Sequence, residues 1–227
     1  MTFTLKKVIP WGRNFDEYRA MFNLKEEDLG KRFLGCSDGP ASFNSTMHHR
    51  GGDVISVDPL YYFSADEIRN QVDEAHTDIM EQCRQHANEM VWTFFHSIEE
   101  LEQIRKATTN EFLSDYETGL REGRYINASL PNLPFEAQTF DIALCSNFLF
   151  CYSEHFSEDF HIRSIKELCR LAPEVRIFPL NEPGSQKSRY LDSVLEQLKG
   201  DGFTLNIQEV PYGFSQDNNK MLMIKTR

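Results

Sequence analysis

The stretch RFLGCSDGPASF, Arg32 to Phe43, and the VISVDP run, Val54 to Pro59, constrain this chain more than any other part of it. A short apolar lead-in reaches Gly35, and a tight Gly/Ser/Asp/Gly turn follows. Pro40 then opens a helix-compatible segment, and a second β-rich run ends at Asp58. The order is strand, glycine turn, helix, strand, acid. A glycine-edged turn lets backbone approach a ligand closely. An acid about 20 residues further on is placed to accept hydrogen bonds from ribose hydroxyls. The pattern is that of the front half of a nucleoside-binding α/β domain.

The remaining elements extend the pattern. Trp11, Phe15, Tyr18, Met21 and Phe22 recur at helical spacing and predict a short amphipathic helix before the first strand. Strand one is expected over 32–34, a helix over 40–49 and strand two over 53–57. Residues 64–122 interrupt the rhythm. Ser64-Ala65-Asp66-Glu67 is a capping-box start, followed by Ile68, Val72, Ala75, Ile79, Cys83 and Ala87 on one face. Ser97-Ile98-Glu99-Glu100 starts a second helix carrying Leu101, Ile104, Phe112, Tyr116 and Leu120. These predict a helical insertion that either packs on a sheet edge or forms a lid, with Tyr61, Tyr62, Trp92 and Phe95 available to wall a pocket. Beyond it the expected elements are a strand at 125–128, a Pro-containing loop at 129–136, a buried strand at 139–145 and a helix at 158–171. A strand at 175–180, a helix at 186–199 and an antiparallel strand pair at 203–210 and 220–226 close the chain. One domain over residues 1–227 is expected, with 64–122 as an insertion within it.

The 24 Lys and Arg against 35 Asp and Glu give a formal net charge of -11. A partner with a phosphate backbone calls for a basic face, and no Lys/Arg run supplies one, so nucleic acid is not an expected partner. The five cysteines, Cys36, Cys83, Cys145, Cys151 and Cys169, are odd in number, widely spaced and form no CxxC pair. That predicts reduced thiols in a cytoplasmic protein, with neither a disulfide frame nor a metal site. The most apolar stretch, Phe140 to Tyr152, is too short to span a bilayer and contains Asp141 and Asn147. No signal peptide is visible in Met1 to Pro10. No membrane association is expected.

Taken together, the LGCSDG turn, VISVDP, the LPFEAQTFDIALCSNFLF segment from Leu133 to Phe150 and the late strand–helix–strand–strand tail resemble the class I S-adenosylmethionine-dependent methyltransferases. The resemblance covers about residues 31–226. It implies a doubly wound, mostly parallel seven-stranded α/β sheet of the Rossmann-like methyltransferase kind, with a helical insertion after strand two. It also implies S-adenosyl-L-methionine as cofactor and a small-molecule substrate in preference to a protein. Cofactor contacts are implied for Gly35, Cys36, Ser37, Asp38 and Gly39 in the turn, and for Asp58 at the ribose. Pro59, Leu60, Ser129 and Leu130 are implied beside the adenine, and Ser146 and Asn147 after the fourth strand.

Two departures matter. The family turn usually reads acid-x-Gly-x-Gly-x-Gly, whereas here Phe33 stands at the acid and Ser37 at the middle glycine. The first removes a carboxylate that helps position the methionine end of the cofactor, for which Asp38 is the nearest replacement. The second places a Cβ in a turn that must approach the ligand. A non-catalytic S-adenosylmethionine-binding protein is therefore one alternative. A nicotinamide-dependent oxidoreductase is another, although its third glycine would fall on Pro40 or Ser42.

Displacing a methyl group from a sulfonium demands alignment and exclusion of water, and a base only where the nucleophile arrives protonated. No catalytic residue is therefore named. Tyr152, His155 and His161 read as packing or surface residues, and His48-His49 as a helix end where positive charge suits the dipole. Cys145 and Cys151 read as buried small apolar residues. Arg13, Phe15 and Tyr18 either close over the cofactor or pack in the core. The Asn/Asp-Pro-Pro-aromatic run of adenine-N6 enzymes and the Pro-Cys pair of cytosine-C5 enzymes do not occur.

Overall fold

Seven strands form one sheet: β1 (Arg32–Cys36), β2 (Asp53–Val57), β3 (Tyr125–Ile126), β4 (Ile142–Ser146), β5 (Glu174–Phe178), β6 (Thr204–Glu209) and β7 (Lys220–Lys225). The computed structural model describes residues 5, 7–92, 94–214 and 218–226. The strand order is β3-β2-β1-β4-β5-β7-β6. β1 pairs in parallel with β2 and β4, β2 with β3, and β4 with β5. β7 runs antiparallel between β5 and β6. This is the doubly wound, mostly parallel seven-stranded Rossmann-like sheet, including the closing antiparallel pair. Winding reverses between β1 and β4, where Cys36 pairs with Cys145. Such a reversal opens a crevice at the carboxyl ends of the two strands.

Among the described residues, six α-helices flank the sheet: α1 (Phe15–Met21), α2 (Phe43–His49), α3 (Ala65–Gln85), α4 (Ile98–Arg121), α5 (Glu158–Leu171) and α6 (Leu191–Gly200). β1 and β4 are apolar along nearly their whole length because both faces are covered. Alternate residues go to opposite sides. Leu34 and Cys36 join Ile165, Leu168 and Val194 under α5 and α6. Phe33 joins Tyr18, Phe22, Phe43 and Tyr212 on the other face. There Tyr18 stacks on Phe43 at 4.4 Å between centroids, and Phe33 meets Phe43 edge-on.

The chain between β2 and β3 folds as α3 and α4. Ser64 accepts the Glu67 N–H in a reciprocal capping box, and Ser97 accepts the Glu100 N–H. Ile68, Val72, Phe112 and Tyr116 pack with Leu60, Tyr61 and Tyr125 of β3 at the sheet edge. Ile79, Cys83 and Leu101 instead join the cluster around α1. The two helices therefore cover the sheet edge and also reach over its carboxyl end. Leu120, expected on the inner face, is exposed, and Ala87 lies beyond the end of α3.

Several element boundaries differ from the sequence expectation: β3 ends at Ile126 rather than 128, β4 begins at Ile142 rather than 139, β5 ends at Phe178 rather than 180, and three other differences have a visible cause. β1 runs on through Gly35 to Cys36, since both residues pair with β2 and β4. α2 begins at Phe43 rather than Pro40, because Pro40 and Ala41 lie against Gly12 and the Ser42 N–H donates to the Arg13 carbonyl. α6 begins at Leu191 rather than Gln186. Residues 181–189 are drawn into a loop by the Asn181–Lys187 bridge and the Glu182–Arg189 ion pair.

Buried ion pairs join distant segments. Arg105 of α4 donates twice to Glu17 of α1, at 2.6 Å each, and the Tyr212 hydroxyl donates to the same carboxylate at 2.6 Å. This ties α1, α4 and the segment between β6 and β7 together. Arg124 donates to both oxygens of Asp115, and Arg176 to Asp28.

Candidate ligand-binding site at the carboxyl edge of the sheet

A cavity of about 780 Å³ opens at the winding reversal. That is within the range of small-molecule sites. Its polar end is made by the turn after β1, the end of β2, the loop after β3 and the turn after β4. Ser37, Asp38, Gly39, Asp58, Pro59, Ser129, Leu130, Ser146 and Asn147 all line it. Gly35 and Cys36, the other two residues expected here, do not. Gly35 lies in β1 with its Cα against the Asp38 carboxylate, which a Cβ would overlap. Cys36 is buried under α5, with its thiol pushed up by burial and by Cys145.

The turn after β1 is held from several sides. The Ser37 N–H donates to the Val57 carbonyl at 2.9 Å, and the Tyr61 hydroxyl to the Gly39 carbonyl at 2.8 Å. Ser37 takes φ 57° and Gly39 φ 54°, in the left-handed region. Ser37 holds this conformation without the freedom of a glycine. A Cβ on Gly39 would meet open space, so the turn faces an opening rather than packed protein. Asn147, after β4, takes φ 49°, and its N–H donates to the Phe178 carbonyl.

Two carboxylates face this end. Asp58 accepts the Gly39 N–H at 2.9 Å on one oxygen and the Leu60 N–H at 2.7 Å on the other. It caps the short 3-10 helix Pro59–Tyr62 as well as fixing the glycine turn. Burial raises its pKa against the lowering effect of those two donors. Asp38 accepts the Tyr18 hydroxyl at 2.7 Å and the Ser56 hydroxyl at 2.7 Å. Burial, with a smaller push from Asp58, raises it to about 6.

The rest of the lining mixes aromatic and aliphatic side chains with the polar Gln71, His86, Glu89, Asn181, Glu182 and Asn218. Phe148, Phe156 and Phe160 form one wall, with Phe156 stacked on Phe160 at 4.5 Å. Ile9 and Trp11 come from the segment before α1, Met90 and Leu101 from the region of α3 and α4, and Phe214 from between β6 and β7. Sequence reasoning did not place these residues. The spacing of Phe148, Phe156 and Phe160, eight and four residues apart, was the available signal, but it reads equally as a helix core stripe. The aromatics expected to wall the pocket lie elsewhere. Tyr61 is packed at the β3 edge, Tyr62 is exposed, and Trp92 and Phe95 belong to the cluster around α1.

The remaining candidates sort clearly. Arg13 reaches the cavity wall, with Nη1 donating to the Trp11 carbonyl at 2.6 Å and Nη2 3.5 Å from Asn147 Oδ1. Tyr152 lines the cavity and its hydroxyl accepts the Ile9 N–H. His161 is buried, with ring nitrogens at Ser153, Ser157 and Leu149, and does not line the cavity. His155 contacts the Leu5 carbonyl. Cys83 and Cys151 reach the cavity as thiols that burial pushes up to about 11 and about 12. Among the described residues, no group of His, Cys, Asp and Glu is placed to hold a metal ion, and no helix is long and apolar enough to cross a membrane.

The chain is 32% identical over 223 residues to an uncharacterized protein of Methanocaldococcus jannaschii, MJ0045, the match covering 97% of each. No family model matches it. Its fold is similar to that of magnesium protoporphyrin IX methyltransferase from Synechocystis, with TM-score 0.47 and 12% identity over 89% of this chain and 73% of that one. It is similar also to a TehB-like S-adenosylmethionine-dependent methyltransferase from Corynebacterium glutamicum, with TM-score 0.45 and 14% identity over 87% and 80%. A third is an S-adenosylmethionine-dependent methyltransferase from Aquifex aeolicus, with TM-score 0.44 and 14% identity over 92% and 90%.

Proposed function

We propose that this chain, which belongs to one family with the Methanocaldococcus jannaschii protein MJ0045, is an S-adenosylmethionine-dependent methyltransferase whose acceptor is a small, largely apolar molecule. The observation that carries the reading is one cavity lined both by the β1 turn with Asp58 and by the rings of Trp11, Phe148, Phe156 and Phe160.

The residues at the polar end fit the cofactor. Each Asp58 oxygen keeps a lone pair beyond its backbone donor, available to a ribose hydroxyl. The open space beside Gly39 admits a ligand against the backbone. Pro59 and Leu130 offer apolar contact for a base, and Ser129 and Ser146 offer polar atoms. Bound there, S-adenosylmethionine supplies a methyl group on a sulfonium sulfur for transfer to a nucleophile. The protein's own part is alignment and exclusion of water. Phe148, Phe156, Phe160 and Trp11 present an acceptor with apolar walls that favour a fixed pose over hydration. Cys83 and Cys151 stay protonated at neutral pH and take no proton from the acceptor. An acceptor that arrives as a free nucleophile suits this site best. Nucleic acid and membranes are not partners in this reading, and the protein acts in the cytoplasm.

Calorimetry with S-adenosylhomocysteine and with NAD tests the reading. Binding of the first and not the second is expected, with a rise in Tm from binding to the native state. Heat with NAD and none with S-adenosylhomocysteine refutes it. A non-catalytic S-adenosylmethionine-binding protein is the second reading, favoured by Ser37 in the glycine turn. Transfer of labelled methyl to any apolar acceptor decides between the two.

A further inference from the structure

Three buried arginines each have an acid of their own: Arg105 has Glu17, Arg124 has Asp115 and Arg176 has Asp28. Arg13 does not. The acid within ion-pair distance of it is the same Glu17, with Oε1 3.6 Å from its Nε. That carboxylate is already full. It accepts both Arg105 Nη groups, the Tyr212 hydroxyl and the Asn14 N–H, and a carboxylate offers about four lone-pair sites. Arg13 Nε is accordingly buried without a hydrogen bond. Two guanidinium groups thus share one negative charge, and the surplus is positive. A charge held away from water calls for a partner.

The surplus lies on the cavity. Arg13 is the one lysine or arginine among the described residues that line it. Its Nη1 is tied to the Trp11 carbonyl at 2.6 Å, whereas the contact of Nη2 is a long one, 3.5 Å to Asn147 Oδ1 in the turn after β4. The guanidinium charge acts on Cys83, Cys151 and Tyr152, which share the lining with the aromatic rings. Asp38 is acted on instead by Tyr18, Ser56 and Asp58, and Asp58 by the Leu60 and Gly39 N–H groups. Arg13 therefore belongs to the acceptor's part of the cavity rather than to the β1 turn. The two acids in that part, Glu89 and Glu182, have partners of their own in His86 and Arg189.

We propose that Arg13 is the acceptor-binding residue of this site, and that the acceptor is a carboxylic acid with an apolar body, methylated on its carboxylate. The proposal rests on the cofactor reading above and names the substrate class. A carboxylate is ionised at neutral pH and needs no base, and the thiols on the wall supply none. One carboxylate oxygen forms the bond to the methyl carbon as the carbon–sulfur bond breaks, and the electron pair of that bond stays on sulfur. The product is a methyl ester, and no proton is taken up or released. The ester is neutral, so the hold of Arg13 on it ends once it has formed. A carboxylate has two sources in such a complex, the acceptor and the cofactor's own amino-acid end, and the test separates them.

The test is calorimetry on the wild type and Arg13→Gln, each saturated with S-adenosylhomocysteine. The probes are indole-3-acetate, cinnamate and decanoate, each beside its neutral amide. In the wild type at least one acid binds about tenfold or more tighter than its amide. In Arg13→Gln acid and amide bind alike, while Kd for S-adenosylhomocysteine stays within about threefold of the wild type. Parity of acid and amide for every pair in the wild type overturns the proposal, as does a preference that survives in the variant. A fall in S-adenosylhomocysteine affinity in Arg13→Gln that its decarboxylated analogue does not share gives Arg13 to the cofactor's carboxylate, and overturns it too. Labelled methyl carried to the preferred acid is released as methanol by mild alkali; label that resists alkali, or no label on the acid, overturns the ester. If the wild type does not bind S-adenosylhomocysteine, the cofactor reading fails and ester formation with it, and the same titrations of the cofactor-free protein read the carboxylate site by itself. Where Arg13→Gln does not fold, the wild-type ratio of acid to amide decides alone.

Discussion

Replacing Asp58 by alanine removes two things at once, and the structure separates their sizes. The carboxylate accepts backbone N–H groups from Gly39 and Leu60, so its loss leaves the glycine turn and the following 3-10 helix uncapped. Loss of such a cap costs about 0.5–2 kcal/mol. For a chain of this size that is a fall in Tm of about 1–8 °C. The sequence alone suggests a ligand contact whose removal leaves stability nearly unchanged; the two backbone bonds correct that. In the proposed cofactor complex, loss of the ribose hydrogen bonds would cost a further ~1.5–3 kcal/mol in binding, a rise in Kd of about 10–150-fold. Urea denaturation of the apo protein measures the first term, and calorimetry with S-adenosylhomocysteine at a temperature where the variant is folded measures the second. A variant with lowered Tm and unchanged Kd would show that Asp58 serves the turn alone.

Three further perturbations follow from the same geometry. The folded-state pKa of Asp38, about 6, lies above the ordinary unfolded value near ~3.9, so the native state holds an extra proton between them and its relative stability declines as pH rises through that window. Asp38→Asn should therefore gain on the wild type by about 2 kcal/mol between about pH 4.5 and about pH 7.5 in paired urea titrations, and a pH-independent difference would refute this. Arg105→Met leaves Glu17 buried without its bidentate partner and should cost about 3–5 kcal/mol, read from the urea midpoint; a loss under about 1 kcal/mol would mean that Arg13 or water takes over. Gly39→Ala should cost about 1–2 kcal/mol through its positive φ despite the free space beside it, and an unchanged Tm would place that turn in another conformation.

What the sequence made legible was governed by local chemistry. The caps at Ser64 and Ser97 depend on residues three positions away, and both form. The strand sequence of the sheet follows from apolar runs separated by turn residues. The helix at 158–171 follows from a stripe that stays inward along its length. What escaped depends on partners far along the chain. The destination of the Asp38 carboxylate is set by Tyr18 and Ser56, on either side of it at separations of 20 and 18 residues. Glu17 and Arg105 are 88 residues apart, and neither carries a local mark of pairing. Tyr61 reads as a pocket aromatic, but its burial against Phe112, Tyr116 and Tyr125 exists only once the insertion has packed on the sheet edge. The late start of α6 likewise reflects the Glu182–Arg189 pair, which overrides a helix-compatible stretch.

The placement of β1 between β2 and β4 has a consequence for how the chain is made. β2 follows β1 closely, but β4 arrives only after the insertion and β3; the Arg32 N–H and its Asp141 acceptor are 109 residues apart. At ribosomal rates of about 5–20 residues per second, the edge of β1 that β4 will occupy stays open for about 5–20 s. That edge is Phe33 to Cys36, without a charged residue or a proline to guard it. The nascent chain is therefore most exposed to sticking to its neighbours while α3 and α4 are being synthesised. Slower initiation, lower temperature or a holding chaperone should raise the soluble yield more than any change made to the finished fold.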